Sequence, residues 1–378
     1  MNPIEEILLL YNKLTLNEKH QLLEIISDSS NCAELTIDQQ IKPSLTDSKL
    51  AFNLKLLNID QPDSCPHCKS IKIISNGRIN NRNRFLCKSC KRTFGILSGT
   101  ILSGVKKMDK FLEFKEIMLS EGAISLKLMS KRVGVSHPIA LDWRHKIIGT
   151  LSSSDAKFES EAQIDDIWVS YSQKGRKGLK YSKKRGGNKK AGDNNFQTKI
   201  ITATNTSQTV MKVARIGRIT KSDVQKKLGN FFVTGAKIVS DSHPSIIAFA
   251  KEKKLNHVCF KSKEHVANTG ENVQFLNNQA SRLKTMINKV CKGVSTKYLQ
   301  NYANWFSFME TYKGKDVNEI ATNKILMDKN GWDRFTNAEP IYKNFIENCS
   351  VRTYRCPVIR KWKANNWNNQ NLDKMSNY

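Results

Sequence analysis

The sequence lacks a long apolar run and a cationic start. Its apolar stretch near the beginning, Ile7 to Tyr11, is too short to cross a bilayer. Glu5 and Glu6 stand where a secretory signal needs positive charge. We therefore expect neither a signal peptide nor attachment to a membrane.

Acidic residues are also scarce. The 378 residues include 34 Asp and Glu against 62 Lys and Arg, a net charge of +28 with a pI near 9.7. Such an excess indicates a polyanionic partner, with nucleic acid first. AT-biased coding is an alternative source of part of the charge, because the chain is rich in Asn, Lys and Ile. A 39% hydrophobic content excludes global disorder, and the length predicts two to four domains.

The cysteines do not form the framework of a secreted, disulfide-rich protein. Their number, nine, is odd, which favours a reducing compartment. Four of them form two Cys-x-x-Cys pairs, with eighteen residues between the pairs. Such spacing predicts a structural zinc ribbon at 59–97, closed by a hairpin, with a redox dithiol as the alternative. The zinc ligands would be Cys65, Cys68, Cys87 and Cys90.

The ribbon lies between two regions of helical pattern. Residues 1–58 predict helices, either a plain hairpin or a dimerisation or docking element. The ribbon itself is basic, which indicates either a DNA-contacting module or an architectural clip. Residues 105–149 predict three helices, the last capped by Ser136, in a helix-turn-helix arrangement. In that interpretation Arg144 and Lys146 reach DNA in the major groove; an ordinary three-helix linker is the alternative.

After a linker at 150–161, strands alternate with helices. The order of three strands, helix, strand, helix, strand, helix predicts an α/β domain with a mixed sheet at 162–310. A basic, Gly-rich loop at 174–192 separates the first two strands, either as a phosphate-backbone grip or as a solvated hairpin tip. A basic extension with interleaved aromatics, 311–378, either binds DNA or packs as a small addition. The loop's candidate DNA contacts are Lys174, Arg176, Lys183, Lys184, Arg185, Lys189 and Lys190.

Polar side chains at strand ends and on one helix form the candidate catalytic set. Asp165 or Asp166 lies in the first strand, and Asp241 ends the fourth. Residues 272–290 have the apolar stripe of an amphipathic helix, with Asn277 and Lys284 two turns apart on one flank. Carboxylate and amide oxygens suit Mg²⁺ or Mn²⁺, and two such ions serve phosphodiester chemistry. Ordinary strand-end caps are the alternative.

Three local patterns resemble the ISXO-type transposases of bacterial insertion sequences. These are residues 162–169 (AQIDDIWV), residues 238–243 (IVSDSH), and residues 276–284 (LNNQASRLK) followed by 293–299 (GVSTKYL). The resemblance runs from the ribbon to about Phe308. It implies an RNase H-like catalytic domain, with Asp165 rather than Asp166, Asp241 and Asn277 as metal ligands. It further implies Lys284 on a DNA phosphate, and strand cleavage and joining at element ends.

From the resemblance we expect double-stranded DNA as partner, both the terminal inverted repeats and the target. We also expect a homo-oligomer on DNA and a place in the bacterial cytoplasm, at the nucleoid. Two features depart from the family pattern. Gln279-Ala280 replaces an aromatic-His pair, and Asn277 replaces a Glu, which leaves the triad one negative charge short; Glu271 is a second-ranked substitute. A catalytically inactive DNA-binding regulator, or a nuclease that never joins ends, would explain the same composition.

Overall fold

The computed structural model describes residues 62–79, 82–151, 156–176, 194, 196–261, 267, 270–328 and 330–348. They all belong to one compact unit, Leu45–Tyr378. The predicted helices of residues 1–58 lie outside the described residues. None of the helices within the described ranges is both long and apolar enough to cross a membrane.

A small antiparallel sheet comes first in the described chain. It consists of β1 (Ile73–Ile79), β2 (Arg82–Cys87) and β3 (Thr93–Gly95), in that order. The predicted hairpin between the two cysteine pairs is confirmed as β1 and β2. Gly77 lies where the register of this hairpin shifts and has a φ of 72°. Residues with a side chain rarely adopt this conformation. Phe85 and Phe94 pack beneath it, with ring centroids 5.8 Å apart.

Three helices follow, as the periodicity predicts: α1 (Met108–Ser120), α2 (Leu126–Val133) and α3 (His137–Thr150). The side chain of Ser125 caps α2 by accepting a bond from the amide of Leu128, and Gly134, with φ at 67°, ends it. Ser136 occupies the cap position of α3, but its side chain makes no capping bond, contrary to our expectation. The helix order agrees with a helix-turn-helix; its role on DNA stays a prediction.

The large sheet is mixed. Its strands are β4 (Glu161–Ser170), β5 (Gln197–Thr204), β6 (Thr209–Ile216), β7 (Lys237–Asp241) and β8 (Asn256–Phe260), in the order β6-β5-β4-β7-β8. Strands β4, β5 and β6 pair antiparallel, whereas β4, β7 and β8 pair parallel. The predicted order of strands and helices is confirmed.

Helices cover both faces of this sheet. They are α4 (Lys221–Leu228), α5 (Pro244–Lys253), α6 (Gln274–Thr285) and α7 (Leu299–Thr311), and α6 continues as a π-helical turn, Met286–Val290. Ile164 of β4 belongs to the core that holds Phe249 of α5. Ile167 belongs to the core on the opposite face, with Leu283 of α6 and with helices α1 to α3. Because side chains alternate along a strand, the odd-numbered residues of β4 face α6.

The chain continues as α8 (Val317–Met327), α9 (Gly331–Thr336) and α10 (Ala338–Asn348). Ile325 of α8 lies in the same core as α1 and α3, and Tyr342 of α10 packs against Ile216 of β6. This part of the 311–378 region is therefore a packed addition to the fold. Its aromatic and basic residues beyond 348 lie outside the described ranges.

Candidate active site and structural metal centre

The two Cys-x-x-Cys pairs form a cluster of four thiols whose sulfur atoms all lie within 4.8 Å of one another. Cys65 and Cys90 place their Sγ atoms 3.7 Å apart, and Cys68 and Cys87 place theirs 3.6 Å apart. Four sulfurs at about 2.3 Å from a tetrahedral zinc are about 3.8 Å apart, so the two closest pairs already have the separation that such a site needs.

The backbone around the thiols supports the same interpretation. The amides of His67 and Cys90 point at the sulfurs of Cys65 and Cys87, at 3.4 and 3.5 Å. The bond from the amide of Cys90 lowers the pKa of Cys87 and so favours the thiolate form that binds metal. With four protein ligands a zinc ion would have no open position, so its role here would be structural.

Asp165 lies in the middle of β4, just beyond its paired stretch with β7, and Asp241 is the last residue of β7. Gln163 of β4 pairs with Val239 of β7, and each aspartate follows two residues later on its strand. Residues two apart share a face of the sheet, so the two carboxyl groups lie on the same face. The charge of Asp241 raises the pKa of Asp165, which shows that the groups interact.

The pKa of Asp165 is raised to about 7. Burial is the largest cause, followed by the negative charges of Asp241 and Asp166. The amide of Asp166, which donates to Oδ1 of Asp165 over 2.6 Å, acts in the opposite direction. A divalent cation would offset the repulsion between the half-buried carboxylate of Asp165 and that of Asp241. Two carboxylates are a donor set that suits Mg²⁺ or Mn²⁺.

Asp166 has a different partner. The ammonium of Lys199 lies 2.6 Å from Oδ2 of Asp166, and both side chains are nearly buried. The ion pair neutralises Asp166 and leaves Asp165 as the aspartate of β4 that faces Asp241. Sequence reasoning missed Lys199; the signal that could have found it is a single charge in the otherwise uncharged strand Gln197–Thr204.

Helix α6 is fixed to the same face of β4. The amide of Leu276 donates to Oε1 of Gln163 over 2.9 Å, next to Asp165 along the strand. Asn277 follows Leu276 and is exposed to solvent. Asn277 and Lys284 differ by seven residues and therefore occupy one flank of the helix.

Lys284 lies beside the candidate carboxylates. Burial lowers its pKa, and the charges of Asp165 and Asp166 oppose that shift. Its ammonium lies over the ring of Trp168, 5.0 Å from the centroid. The structure thus brings Asp165, Asp241 and Lys284 together, and it places Asn277 on the flank of α6 that carries Lys284.

Glu271 belongs to another part of the sheet. Its carboxylate lies 2.6 Å from the ammonium of Lys237, the first residue of β7. Asp241 is the last residue of that strand, about 13 Å further on at 3.3 Å per residue. The alternative prediction, that Glu271 takes the place of Asn277 as a metal ligand, is therefore wrong.

Gln279, which replaces an aromatic residue of the family pattern, points into the protein. It is 1% exposed and donates to Oγ1 of Thr209 over 3.0 Å. It therefore joins α6 to β6 inside the protein.

In a comparison with known protein families, residues 158–311 match the family model described as an ISXO2-like transposase domain. The chain carries an ISXO2-like transposase domain. The match covers the predicted catalytic domain, 162–310, and confirms the resemblance to ISXO-type transposases. The transposase domain holds all four candidate catalytic residues, Asp165, Asp241, Asn277 and Lys284.

A curated relative is 28% identical over 125 residues, which is 32% of this chain and 42% of the relative. It is an uncharacterized protein in transposable element ISH50 of Halobacterium salinarum. The match therefore spans less than half of that relative's length.

Among solved structures, the chain aligns with the Mos1 transposase paired-end complex with left transposon end. The alignment has 10% identity and a TM-score of 0.25, and it covers 89% of this chain and 95% of that one. A second is the mariner Mos1 paired end complex with Mg, at 12% identity and a TM-score of 0.23, covering 60% and 78%. Scores this low carry no weight for the fold or the site of the transposase domain.

The structure corrects the two DNA contacts predicted on α3. Arg144 is 1% exposed, donates to the carbonyl of Ile124 over 2.7 Å and lies over the ring of Trp305. Lys146 is 8% exposed and pairs with Asp142 over 2.8 Å. Neither side chain faces solvent, because this half of α3 is the centre of the helical core, so the prediction was wrong for both. The run of basic residues in the sequence of α3 does not show which side of the helix is buried.

Lys174 has hydrogen-bond partners within the protein, and its predicted phosphate contact stays a prediction. Its ammonium donates to the carbonyls of Cys291, Lys292 and Gly293 over 2.9, 3.0 and 2.7 Å. It thereby satisfies carbonyls at the end of the π-helical turn that follows α6. Arg176 is exposed at the start of the loop. Lys183, Lys184, Arg185, Lys189 and Lys190 lie outside the described residues.

Proposed function

We propose that the chain is a DNA transposase of an insertion sequence, which binds the element ends and catalyses divalent-metal-dependent strand cleavage and strand transfer. The observation that carries the proposal is the juxtaposition of Asp165 and Asp241 on β4 and β7, within the transposase domain. The strand order, with three antiparallel strands followed by two parallel ones, supports an RNase H-like assignment.

Asp165, Asp241 and the amide oxygen of Asn277 would hold Mg²⁺ or Mn²⁺. The ions would activate the attacking oxygen and stabilise the leaving one. Lys284 contributes a point charge to the scissile or flanking phosphate. Water first breaks a phosphodiester bond at the element end and leaves a 3′-hydroxyl and a 5′-phosphate. The 3′-hydroxyl then attacks a target phosphodiester, becomes joined to the target's 5′-phosphate and releases the target's 3′-hydroxyl.

Binding of the element ends is assigned to the parts outside the sheet. The ribbon exposes Lys88 and Lys91, and α2 exposes Lys127 and Lys131, so cations are available on both modules. Phosphate contacts of this kind bind without reading sequence and weaken as salt rises. We therefore propose that the ribbon and the exposed side of α2 meet the DNA backbone, while the buried half of α3 does not.

The test uses the full zinc-loaded chain and duplexes that carry the inverted repeats flanking its gene. Wild type is expected to nick and join these ends in Mg²⁺ or Mn²⁺, and Asp241→Ala is expected to lose both activities. Glu271→Gln is the matched control, because it removes a carboxylate at the far end of β7 and should retain cleavage.

Three other outcomes would contradict the proposal. Salt-sensitive binding without nicking would indicate a DNA-binding regulator that has lost catalysis. Cleavage without joining of the 3′ end would indicate a nuclease. Retained metal-dependent cleavage by Asp241→Ala would show that the assigned carboxylates are not the catalytic ones.

A further inference from the structure

Trp168 is an exposed aromatic residue at the edge of the candidate site, and the proposed chemistry leaves it without a role. It lies on β4 three residues after Asp165, and 45% of its surface is exposed to solvent. Across the sheet it pairs with Lys199 of β5. An indole with this much exposure contributes little to the core, so its contact with Lys284 is the feature that the structure offers for it.

The indole holds the ammonium of Lys284, whose Nζ lies 5.0 Å from the ring centroid. Tryptophan is the aromatic side chain that attracts cations most strongly. Lysine has a long, flexible side chain, which loses conformational freedom when its ammonium binds a phosphate. A ring that already holds the ammonium in place makes that loss smaller.

The charges nearby make this restraint necessary. Asp165 and Asp166 both attract the ammonium of Lys284, and Lys199 repels it. A lysine drawn onto Asp165 would compete with a divalent ion for that carboxylate. Lys199 already occupies Asp166, and the neutral ring of Trp168 offers Lys284 a resting place beside Asp165.

We propose that Trp168 is a positioning residue, which holds Lys284 beside the carboxylates and ready for a DNA phosphate. The proposal rests on the role given to Lys284 in the proposed function. It assigns to Trp168 no contact with DNA and no contact with metal.

The first test is a double-mutant cycle on cleavage of end DNA at saturating Mg²⁺, with Trp168→Leu, Lys284→Ala and the double variant. Trp168→Leu is expected to lower the cleavage rate about 2- to 30-fold, as the loss of a cation–π contact predicts. Trp168→Phe, which keeps a ring, should recover most of the rate. In the Lys284→Ala background, Trp168→Leu should have no further effect.

Additive losses in the cycle would overturn the proposal, because they would show that Trp168 acts without Lys284. An equal loss in Trp168→Phe and Trp168→Leu would overturn it too. Trp168→Thr, which suits an exposed strand position, replaces the Leu variant if that variant fails to fold. Lys289→Ala is the matched control, since it removes an exposed cation from the turn that continues α6.

A second test separates this proposal from the proposed function. Binding of end DNA is measured without Mg²⁺ or Mn²⁺ over a series of salt concentrations. Lys284→Ala is expected to make the salt dependence shallower by about one phosphate contact, and Trp168→Leu should do the same. If wild type fails to cleave, the proposed function fails, while this binding cycle still decides the role of Trp168. A wild-type salt slope in Trp168→Leu beside a shallower one in Lys284→Ala would refute that role.

Discussion

Replacing Asp165 by Asn should stabilise the protein and abolish its activity. The folded protein raises the pKa of this carboxyl from 3.8 to about 7, mainly through burial. Ionisation is therefore easier in the unfolded chain, and it favours unfolding at every pH above about 4. Asn carries no charge, and its oxygen can still accept the bond from the amide of Asp166.

The size of the stabilisation expected for Asp165→Asn follows from the shift in the pKa of Asp165. The loss of folding stability caused by ionisation of Asp165 is absent below the pKa of this group in the unfolded chain. It grows as pH rises and reaches its limit near the pKa in the folded protein. An upper limit is about 4 kcal/mol at pH 7 and about 2 kcal/mol at pH 5, at about 1.4 kcal/mol per pKa unit. Because Asp165 is only half-buried, we expect a gain of about 1–3 kcal/mol at pH 7, or about 3–10 °C in Tm.

Thermal unfolding of the zinc-loaded chain in buffer free of Mg²⁺ and Mn²⁺ measures this gain at both pH values. Asp166→Asn is the matched control at the neighbouring position. It removes the negative charge 2.6 Å from the nearly buried ammonium of Lys199 and should lower stability by about 2–4 kcal/mol. A lower Tm for Asp165→Asn at pH 7, or an equal gain at pH 5 and pH 7, would refute the reasoning.

Three further predictions concern single positions. Asn277→Asp adds the missing negative charge and should tighten Mn²⁺ binding several-fold in calorimetric titration; an unchanged affinity would remove Asn277 from the ligand set. Cys87→Ser should release zinc, detected with a chromogenic chelator, and lower the Tm; full zinc retention would contradict the structural centre. Lys174→Met removes an exposed donor from the carbonyls after α6 and should cost about 0.5–1.5 kcal/mol of stability in urea unfolding, whereas a loss of DNA affinity alone would favour a phosphate contact.

Much of the fold could be predicted from the sequence because local patterns determine it. The thiol spacing predicts the ribbon, the apolar periodicity predicts α1, α2 and α3, and the alternation of strands and helices predicts the mixed sheet. The pairing of β4 with β7, which brings Asp165 to Asp241, depends on which strands become neighbours. Only the resemblance to a family indicated that convergence before the structure was known.

The errors concern which side of an element is buried. Arg144 and Lys146 belong to a helix whose charged residues lie inside the core, and the sequence shows only that they are basic. Lys174 lies in a basic loop segment, and nothing in its neighbours reveals carbonyls more than a hundred residues away. Lys199 and Trp168 went unnoticed because their partners, Asp166 and Lys284, come from other elements.

The most direct test of the proposed centre is anomalous diffraction from crystals of the full chain bound to end DNA and Mn²⁺, recorded at the manganese edge. We predict an anomalous peak between the carboxyl groups of Asp165 and Asp241, within ligand distance of both and within reach of the amide of Asn277. Manganese bound elsewhere, with the two aspartates holding no ion while DNA is present, would contradict the account.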